Sequence, residues 1–486
     1  MGVSFTLQIF GIDMMLLYID LFCGAGGTSS GVNSARLNGK QCATVIACVN
    51  HDKNAIASHI ANHPKAMHFT EDIRTLELSP LKAHIESCRR QYPDALLVLW
   101  ASLECTNFSK AKGGMPRDAD SRTLAEHLFR YIEAINPDYL QIENVEEFMS
   151  WGEVDKNGKP ISMDKGKSYL CWVRNVKKYG YDFDYRILNS ADYGAYTSRK
   201  RFFGIFAKQG LPITFPEATH CKEGGVSLFG SLQKWRPVYE CLDLADSGNS
   251  IFGRKKPLVE ATLKRIYAGL IKFVAGGKDA FLVKYNSVNN RTGRHLPPSI
   301  DEPCPTVTTQ NRLGLAKVMF LSKQFSGDPF SKNVSVDAPA GTITCKDHHA
   351  FISAYYGNGH NHSVDAPSPT LTTKDRLSLI LTEHSEIANI IVYDTDSPMT
   401  TKIKEFMALY GIIDVKMRML KVSELKKIMG FSEDYVLIGT QSEQKKYIGN
   451  AVEVTIARRW CEALCVKLKD YQYGRKNIFS KGISYA

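Results

Sequence analysis

Apolar runs of strand length alternate with helical patterns from Leu16 to about Gln209. The predicted strands are Leu16–Phe22, Ala43–Asn50, Ala95–Ser102, Asp138–Glu143, Tyr181–Leu188 and Arg201–Lys208. The predicted helices are Thr28–Leu37, Asp52–Asn62, Ser121–Ile135 and Lys167–Tyr179. This alternation predicts an α/β fold with a doubly wound, mainly parallel sheet. No segment of helical length separates the last two strands, so we expect them to form an antiparallel hairpin at one edge.

The pattern changes after Leu211 to short β-like runs rich in proline, glycine, serine and aromatic residues. Three segments of this region, 300–312, 336–348 and 364–376, resemble one another, and each follows a predicted strand that begins at Phe281, Phe320 or Phe351. Such a β-rich region could present side chains to a DNA groove or serve as a structural insert. Helical periodicity returns in Lys421–Met429 and Val454–Lys467, so we expect three segments, 14–211, 212–415 and 416–470.

Composition narrows the class of protein only moderately. The chain has 486 residues, of which 44% are hydrophobic and 23% charged, as in ordinary globular proteins. Its net charge of +11 is compatible with a polyanionic partner. Twelve cysteines without a Cys-x-x-Cys pair predict free thiols in a reducing cytoplasm. No signal peptide or membrane-spanning stretch is evident, so we expect a cytoplasmic protein.

A glycine-rich turn follows the first predicted strand. The segment Asp20-Leu-Phe-Cys-Gly-Ala-Gly-Gly leads into a helix near Thr28, and its glycines would let a nucleotide-like ligand approach the backbone. The second strand ends at Asn50, where an acidic residue would be expected to hold a ribose; its amide can still bond hydroxyl groups. Asp72 could accept a hydrogen bond from an adenine amino group or cap a local turn.

Three further positions indicate chemistry at the ends of later strands. Cys105 follows the apolar run Ala95–Trp100, and the polar, basic loop after it would keep the thiol accessible, although most intracellular cysteines are small buried hydrophobes. Glu143 ends the next strand and could protonate a bound base or cap a helix. Arg199 and Arg201 could bind a phosphate or a carbonyl, or form a solvated strand end.

These motifs, in this order, resemble those of the DNA cytosine-5 methyltransferase family of bacterial or phage type. The resemblance covers Leu16 to about Leu211 and Arg418 to Leu464, where Ile448-Gly-Asn-Ala-Val matches the last family motif. It implies the S-adenosylmethionine-dependent methyltransferase fold, a β-rich target recognition domain in the middle, and S-adenosyl-L-methionine as the cofactor. The implied cofactor-binding residues are Asp20, Phe22, Gly24, Gly26, Gly27, Asn50, Asp72, Asn450 and Val452.

The resemblance also implies a reaction and its catalytic residues. Cys105 would add to carbon 6 of a flipped-out cytosine, Glu143 would stabilise a proton at N3, and Arg201, with Arg199 nearby, would hold the O2 carbonyl. A methyl group would then pass from the cofactor to carbon 5, with no metal involved. The expected partner is duplex DNA, with a cognate restriction endonuclease as a further candidate, and we expect a monomer.

The sequence departs from the family pattern at Glu104, Asn50 and Thr197, which stand where the family usually has proline, glutamate and glutamine. Two alternatives therefore stay open: a tRNA cytosine-5 methyltransferase, or a catalytically silent DNA-binding relative. The large basic insert argues against the tRNA branch, and the retained thiol, acid and arginines argue against the silent relative. A metal-dependent nuclease built on His348, His349, His360 and His362 is disfavoured because these histidines lack nearby carboxylates with metal-ligand spacing.

Overall fold

The structure is a computed structural model. It describes residues 15–103, 125–151, 166–227, 230–243, 245–246, 248–271, 280–284, 313–317, 349–354, 377–384, 390–409 and 412–482. The predicted nucleophile Cys105 and the repeats 300–312, 336–348 and 364–376 lie outside these residues.

A seven-stranded sheet forms the first part of the chain, in the order β5-β4-β1-β6-β7-β9-β8. Strands β5, β4, β1, β6 and β7 run parallel to one another, whereas β9 pairs antiparallel with both β7 and β8. Together with a small hairpin, β2 and β3, the strands are Leu16–Leu21 (β1), Arg36–Leu37 (β2), Lys40–Gln41 (β3), Ala43–Val49 (β4), Met67–Phe69 (β5), Leu96–Ser102 (β6), Tyr139–Asn144 (β7), Tyr181–Asn189 (β8) and Lys200–Lys208 (β9). The predicted parallel sheet and its antiparallel edge hairpin are confirmed.

Helices cover both faces of this sheet, because its central strands are apolar on both sides. The helices are Gly27–Ser34 (α1), Lys53–Asn62 (α2), Ser79–Gln91 (α3), Leu128–Ile135 (α4), Lys167–Lys177 (α5), Glu260–Gly269 (α6), Pro398–Leu409 (α7), Val422–Ile428 (α8), Gln441–Asn450 (α9) and Val454–Gly482 (α10). Leu17, Ile19 and Leu21 of β1 pack with α3, α4 and α5 on one face. Leu16 and Tyr18 pack with α1 and α10 on the other.

The predicted helix Thr28–Leu37 is wrong at its end. Helix α1 stops at Ser34, and Arg36–Leu37 pairs with Lys40–Gln41 in the β2–β3 hairpin. Asn38 and Gly39 form the turn with φ values of 51° and 79°. An Asn-Gly pair favours this left-handed two-residue turn, so the turn chemistry prevails over the helical pattern. Of the predicted helix Ser121–Ile135, residues 125–127 form a turn and α4 begins at Leu128.

The middle region contains β-structure, with helices α6 and α7 beside it. A three-stranded sheet has the order β10-β12-β11, and a six-stranded sheet has the order β13-β18-β17-β15-β14-β16. The strands are His220–Cys221 (β10), Gly225–Ser227 (β11), Gly230–Lys234 (β12), Asn249–Ser250 (β13), Ala280–Lys284 (β14), Leu313–Lys317 (β15), His349–Ala354 (β16), Leu377–His384 (β17) and Ile412–Met419 (β18). The strands expected at Phe281 and Phe351 are present as β14 and β16, and β18 extends past the predicted boundary at residue 415.

The last described helix returns to the first sheet, as its pattern predicts. Trp460 of α10 is fully buried, and its ring lies 5.4 Å from those of Trp100 and Phe203, measured between centroids. Gly31 of α1 allows close approach, because a Cβ there would lie 2.6 Å from the Cβ of Ala457. Among the described residues, no helix combines the length and apolarity needed to cross a membrane.

Candidate active site

The sheet has a topological switch point between β1 and β6. These strands are adjacent and parallel, with Leu21 opposite Ala101. The chain continues from β1 towards β4 on one side, and from β6 towards β7 on the other. In open α/β sheets, ligands bind in the crevice outside the carboxyl ends of two such strands. The glycine-rich turn follows β1 at this edge, which agrees with its predicted role as a ligand-binding turn.

The glycine-rich turn has a backbone that side chains rarely tolerate. Phe22, Gly24 and Gly26 have φ values of 60°, 52° and 99°, in the left-handed region. A Cβ on Gly24 would meet no atom within 4 Å, whereas a Cβ on Gly27 would clash with the carbonyl oxygen of Val452. The turn is therefore open on the side of Gly24 and supported by the 452 segment on the other.

Asp20 lies at the base of this turn and is fully buried. Its Oδ2 accepts a hydrogen bond of 2.8 Å from Ser29 Oγ, while Oδ1 has no hydrogen-bond partner within the described part of the chain. Burial raises the pKa of Asp20 from 3.8 to about 7. A buried acceptor without a partner next to an open glycine turn fits a polar ligand such as the predicted cofactor.

The two other predicted cofactor contacts on this side follow neighbouring strands. Asn50 comes directly after β4, and its Oδ1 accepts a hydrogen bond from the backbone N–H of Asp52. Asp72 lies shortly after β5, where its carboxylate pairs with Arg74 at 2.6 Å and accepts a hydrogen bond from the Arg74 backbone N–H. The bond to Arg74 lowers the pKa of Asp72. Asp72 thus caps a local turn, and its contact with adenine stays a prediction.

Glu143 and Arg201 meet at the same edge of the sheet. Glu143 lies near the end of β7 and is 5% exposed, and its Oε1 is 3.5 Å from Arg201 Nε. Burial raises the pKa of Glu143, whereas the positive charges of Arg199 and Arg201 act in the opposite direction. A carboxyl group with a raised pKa can carry a proton that it shares with a bound base, and here the Arg201 guanidinium lies beside it.

The two arginines have different surroundings. Arg201 Nη1 donates to the carbonyl oxygen of its neighbour Lys200, and its Nε faces Glu143. Arg199 is buried and donates from Nη1 to the carbonyl oxygen of Gly449 in α9, at 3.2 Å. Arg199 therefore connects the start of β9 to the helix that ends at Asn450, an exposed residue two positions before Val452.

The chain that carries Cys105 leaves the sheet beside Glu143. Ser102, the last residue of β6, is the register partner of Glu143 in β7. Cys105 itself lies outside the described residues, so its approach to Glu143 stays a prediction. The structure brings the other predicted groups to one edge: the glycine-rich turn and Val452 on one side of the crevice, and Glu143 and Arg201 on the other.

The sequence analysis did not identify Tyr435, which contacts the backbone of the glycine-rich turn. Its hydroxyl donates a short hydrogen bond to the carbonyl oxygen of Ala25 and lies 3.3 Å from His63 Nε2. The two bonded residues are 410 positions apart in the sequence. No local motif surrounds Tyr435, so nothing in the sequence pattern could have identified it.

Residues 16–229 and 332–465 match the family model described as C-5 cytosine-specific DNA methylase. The chain belongs to this DNA methylase family. Its mainly parallel sheet with helices on both faces is the S-adenosylmethionine-dependent methyltransferase fold of that family. The two matched segments contain the glycine-rich turn, Glu143, Arg201 and Val452, so every group placed at the crevice above lies within the family match.

Curated relatives resemble the chain over part of their length. The Type II methyltransferase M.AgeI of Thalassovita gelatinovora is 29% identical over 213 residues, which are 43% of this chain and 44% of the relative. M.XorII of Xanthomonas oryzae is 29% identical over 205 residues, 41% of this chain and 43% of the relative. The DNA-cytosine methyltransferase of Escherichia coli K12 is 32% identical over 182 residues, 34% of each protein. The chain thus spans less than half the length of these relatives.

A solved structure of the Dnmt2 methyltransferase of S. pombe is 15% identical, with a TM-score of 0.47, and the superposition covers 93% of this chain and 99% of that one. The family match and the sheet topology establish the fold.

Proposed function

We propose that this protein transfers a methyl group from S-adenosyl-L-methionine to carbon 5 of cytosine in a specific sequence of duplex DNA. The observation that carries this proposal is the buried pair of Glu143 and Arg201, which lies next to the carboxyl end of β6 at the same sheet edge as the glycine-rich turn. Family membership supports the same reaction class. The names of its relatives favour a role beside a cognate restriction endonuclease.

The cofactor would bind where the glycine-rich turn, Asp20 and Val452 come together. When bound, S-adenosyl-L-methionine supplies an electrophilic methyl group. The open side of the turn at Gly24 would admit the ligand, and the unsatisfied Oδ1 of Asp20 offers it a buried acceptor. Asn50 and Asp72 would contribute from the ends of β4 and β5, and Asn450 would add a polar contact at the end of α9.

The residues across the crevice would act on the pyrimidine. The thiolate of Cys105 adds to carbon 6, which makes carbon 5 electron-rich. Glu143 holds a proton at N3, and Arg201 donates hydrogen bonds to the O2 carbonyl, so that the charge developing on the ring is neutralised. Once carbon 5 carries the methyl group, loss of the proton at that carbon and elimination of the Cys105 thiolate restore the aromatic ring. Arg199, bonded to Gly449, adds a second positive charge that acts on Glu143.

Each of the three segments of the chain would have its own role in the reaction. Residues 14–211 carry the chemistry, 212–415 form the target recognition domain, and 416–470 complete the catalytic domain. The net charge of +11 supports contact with DNA phosphates. Protein contacts would compensate for the few kcal/mol that flipping a base out of the duplex requires.

The test is label transfer from S-adenosyl-L-methionine to duplex DNA and tRNA, side by side, with 5-fluorocytosine DNA to trap the covalent adduct. We expect label in duplex DNA and an adduct that disappears in Cys105→Ser but persists in the matched control Cys88→Ser on α3. Label in tRNA alone would support the tRNA branch. Binding of cofactor and DNA without transfer or adduct would support a silent relative, and bisulfite sequencing of a plasmid from expressing cells would identify the methylated sequence.

A further inference from the structure

A cluster of soft ligand groups lies beneath the glycine-rich turn and has no part in the proposed reaction. It consists of Cys48 in β4, His59 in α2 and His68 in β5. One ligand atom from each residue lies within 4.8 Å of the other two. Cys48 Sγ is 3.5 Å from His59 Nδ1, and His59 Nδ1 is 2.9 Å from His68 Nε2. The three ligand atoms therefore form one compact group.

The sheet register fixes two of these groups. Cys48 is the register partner of Asp20 in the β1–β4 pair and of His68 in the β4–β5 pair. Side chains of register partners stand side by side on one face of a sheet. Helix α2 then places His59 against Cys48, and both are fully buried, while His68 is only half-buried. The cluster is thus built on regular elements, with one side towards solvent.

Hydrogen bonds leave a lone pair on the nitrogen of His59 that faces the cluster. Ser29 Oγ donates to Asp20 Oδ2, so it can accept from His59 Nε2, which is 2.9 Å away. A neutral imidazole has one N–H group; with that proton on Nε2, Nδ1 carries the lone pair. Histidines that bind a metal commonly donate their other N–H to a fixed acceptor, and here Ser29 Oγ, itself bonded to the Asp20 carboxylate, is that acceptor for His59.

We propose that Cys48, His59 and His68 bind a divalent ion of the zinc class. With Zn–S near 2.3 Å and Zn–N near 2.0–2.1 Å, tetrahedral ligand atoms lie roughly 3.3–3.6 Å apart. The sulfur-to-nitrogen distance of 3.5 Å already agrees, and the two nitrogens need to separate by a few tenths of an ångström. One thiolate and two imidazoles favour zinc over hard cations such as magnesium or calcium.

His63 packs against this cluster without joining it. Its ring lies 4.7 Å from that of His59, between centroids. Its Nδ1 is 3.2 Å from the side-chain amide of Asn33, and its Nε2 is 3.2 Å from Ser30 Oγ. Both nitrogens of His63 thus have other partners. The sequence predicts no metal here because these ligands do not follow a zinc-motif spacing, and only the strand register together with the packing of α2 brings them together.

An ion bound by these three residues would stabilise the elements that lie beneath the glycine-rich turn. It would connect β4, β5 and α2 directly, and reach the turn through His59, Ser29 and Asp20. The site is therefore structural in character: it would stabilise the fold and hold the turn in place. Its occupancy can be tested without any measurement of methyl transfer.

The test is metal binding by the full chain after treatment with a chelator. We expect one equivalent of Co²⁺ or Zn²⁺ per chain, a thiolate-to-cobalt absorption band, and a rise in Tm with Zn²⁺. The band and the Tm shift should be lost in Cys48→Ser and in His68→Asn. Circular dichroism would establish that each variant is folded; His68 is the safer position because it is only half-buried.

A second Cys–His pair in the chain provides the matched control. Cys88 Sγ lies 3.6 Å from His84 Nε2 on α3, without a third ligand among the described residues. Cys88→Ser should leave the cobalt band and the Tm shift unchanged. The proposal is overturned if the wild-type chain takes up no ion, or if the band survives in folded Cys48→Ser and His68→Asn, which would place the metal elsewhere in the chain.

Discussion

At the scale of single residues, Glu143 is subject to two opposing influences on its acidity. Burial favours the protonated carboxyl group, and the charges of Arg199 and Arg201 favour the carboxylate. Burial is the larger influence, so the pKa is raised. The proposed reaction needs a proton between Glu143 and the base, and a raised pKa extends the pH range in which this proton is present.

Glu143→Gln should lower the rate of methyl transfer by about 10²–10⁴-fold while DNA binding is retained, because the amide cannot give up a proton to the base. In the wild-type chain, the rate should fall as pH rises through the raised pKa of Glu143. Single-turnover rates measured against pH would check both effects. The control is Glu146→Gln, in the short helix after β7. Unchanged rates in Glu143→Gln would remove this carboxyl group from the mechanism.

Glu453 allows a prediction about stability. It is buried beside the first turn of α10, its Oε2 accepts from the Ile456 backbone N–H, and burial raises its pKa from 4.5 to about 7. The folded state thus holds this proton more tightly than the unfolded state, so its contribution to stability falls as pH rises from 4.5 to 7. A difference of this size corresponds to roughly 3 kcal/mol.

Glu453→Gln should therefore become more stable relative to the wild type as pH rises, by roughly 3 kcal/mol between pH 4.5 and pH 8. The glutamine keeps an oxygen for Ile456 and carries no charge. Urea unfolding of both proteins at each pH would give the difference, in which the similar titration of Asp20 cancels. A constant difference across this range would mean that Glu453 does not titrate as its burial indicates.

At the scale of elements, the contact between α1 and α10 depends on the absence of a side chain at Gly31. A Cβ there would lie 2.6 Å from Ala457 Cβ and 2.7 Å from the Val454 carbonyl oxygen. Since part of the neighbouring surface is backbone, it cannot rotate away. The helices would have to separate, and α1 begins directly at the glycine-rich turn.

Gly31→Ala should therefore destabilise the fold by about 1–3 kcal/mol, the usual cost of overpacking, despite alanine's better helix propensity. It should also weaken cofactor binding, because α1 carries the end of the turn. Thermal unfolding and calorimetry with S-adenosyl-L-methionine would measure the two effects. Ser34→Ala, in the last turn of the same helix, is the control. A stabilised Gly31→Ala variant would show that α1 and α10 do not pack this closely.

The central strands could be predicted because they are buried on both faces and therefore appear as uninterrupted apolar runs, such as Leu16–Leu21. The β2–β3 hairpin was missed because its first strand, Arg36–Leu37, lies inside the segment Thr28–Leu37, which has a helical pattern. In the site, the glycine-rich turn and Glu143 could be predicted from local motifs. The support from Tyr435 and the bond from Arg199 to Gly449 could not, because they join residues 410 and 250 positions apart.

At the scale of the whole molecule, one face of the seven-stranded sheet is completed by residues from the last described helix. Trp460 and Leu464 of α10 are fully buried against Tyr18, Trp100 and Phe203. The 452 segment supports the glycine-rich turn, and Gly449 receives the bond from Arg199. Both the core and the site therefore need this segment.

A chain truncated after residue 415 should lose detectable binding of S-adenosyl-L-methionine and be cleaved by protease much faster than the full chain, because the apolar face under α10 would be exposed to water. Co-expression of 416–486 as a separate polypeptide should restore part of both properties. Calorimetry and limited proteolysis would measure them. Binding by the truncated chain at full affinity would contradict the dependence of the turn on the 452 segment.

The distance in sequence between Arg199 and Gly449 also has a consequence during synthesis. A ribosome adds about 5–20 residues per second, so the 250 residues between these two positions take roughly 12–50 s to emerge. During that interval Trp100 and Phe203 are exposed because α10, which packs on them, has not yet been synthesised. We expect chaperones to bind this exposed apolar surface. A partly synthesised chain should therefore lack a complete ligand-binding turn until the last segment has emerged.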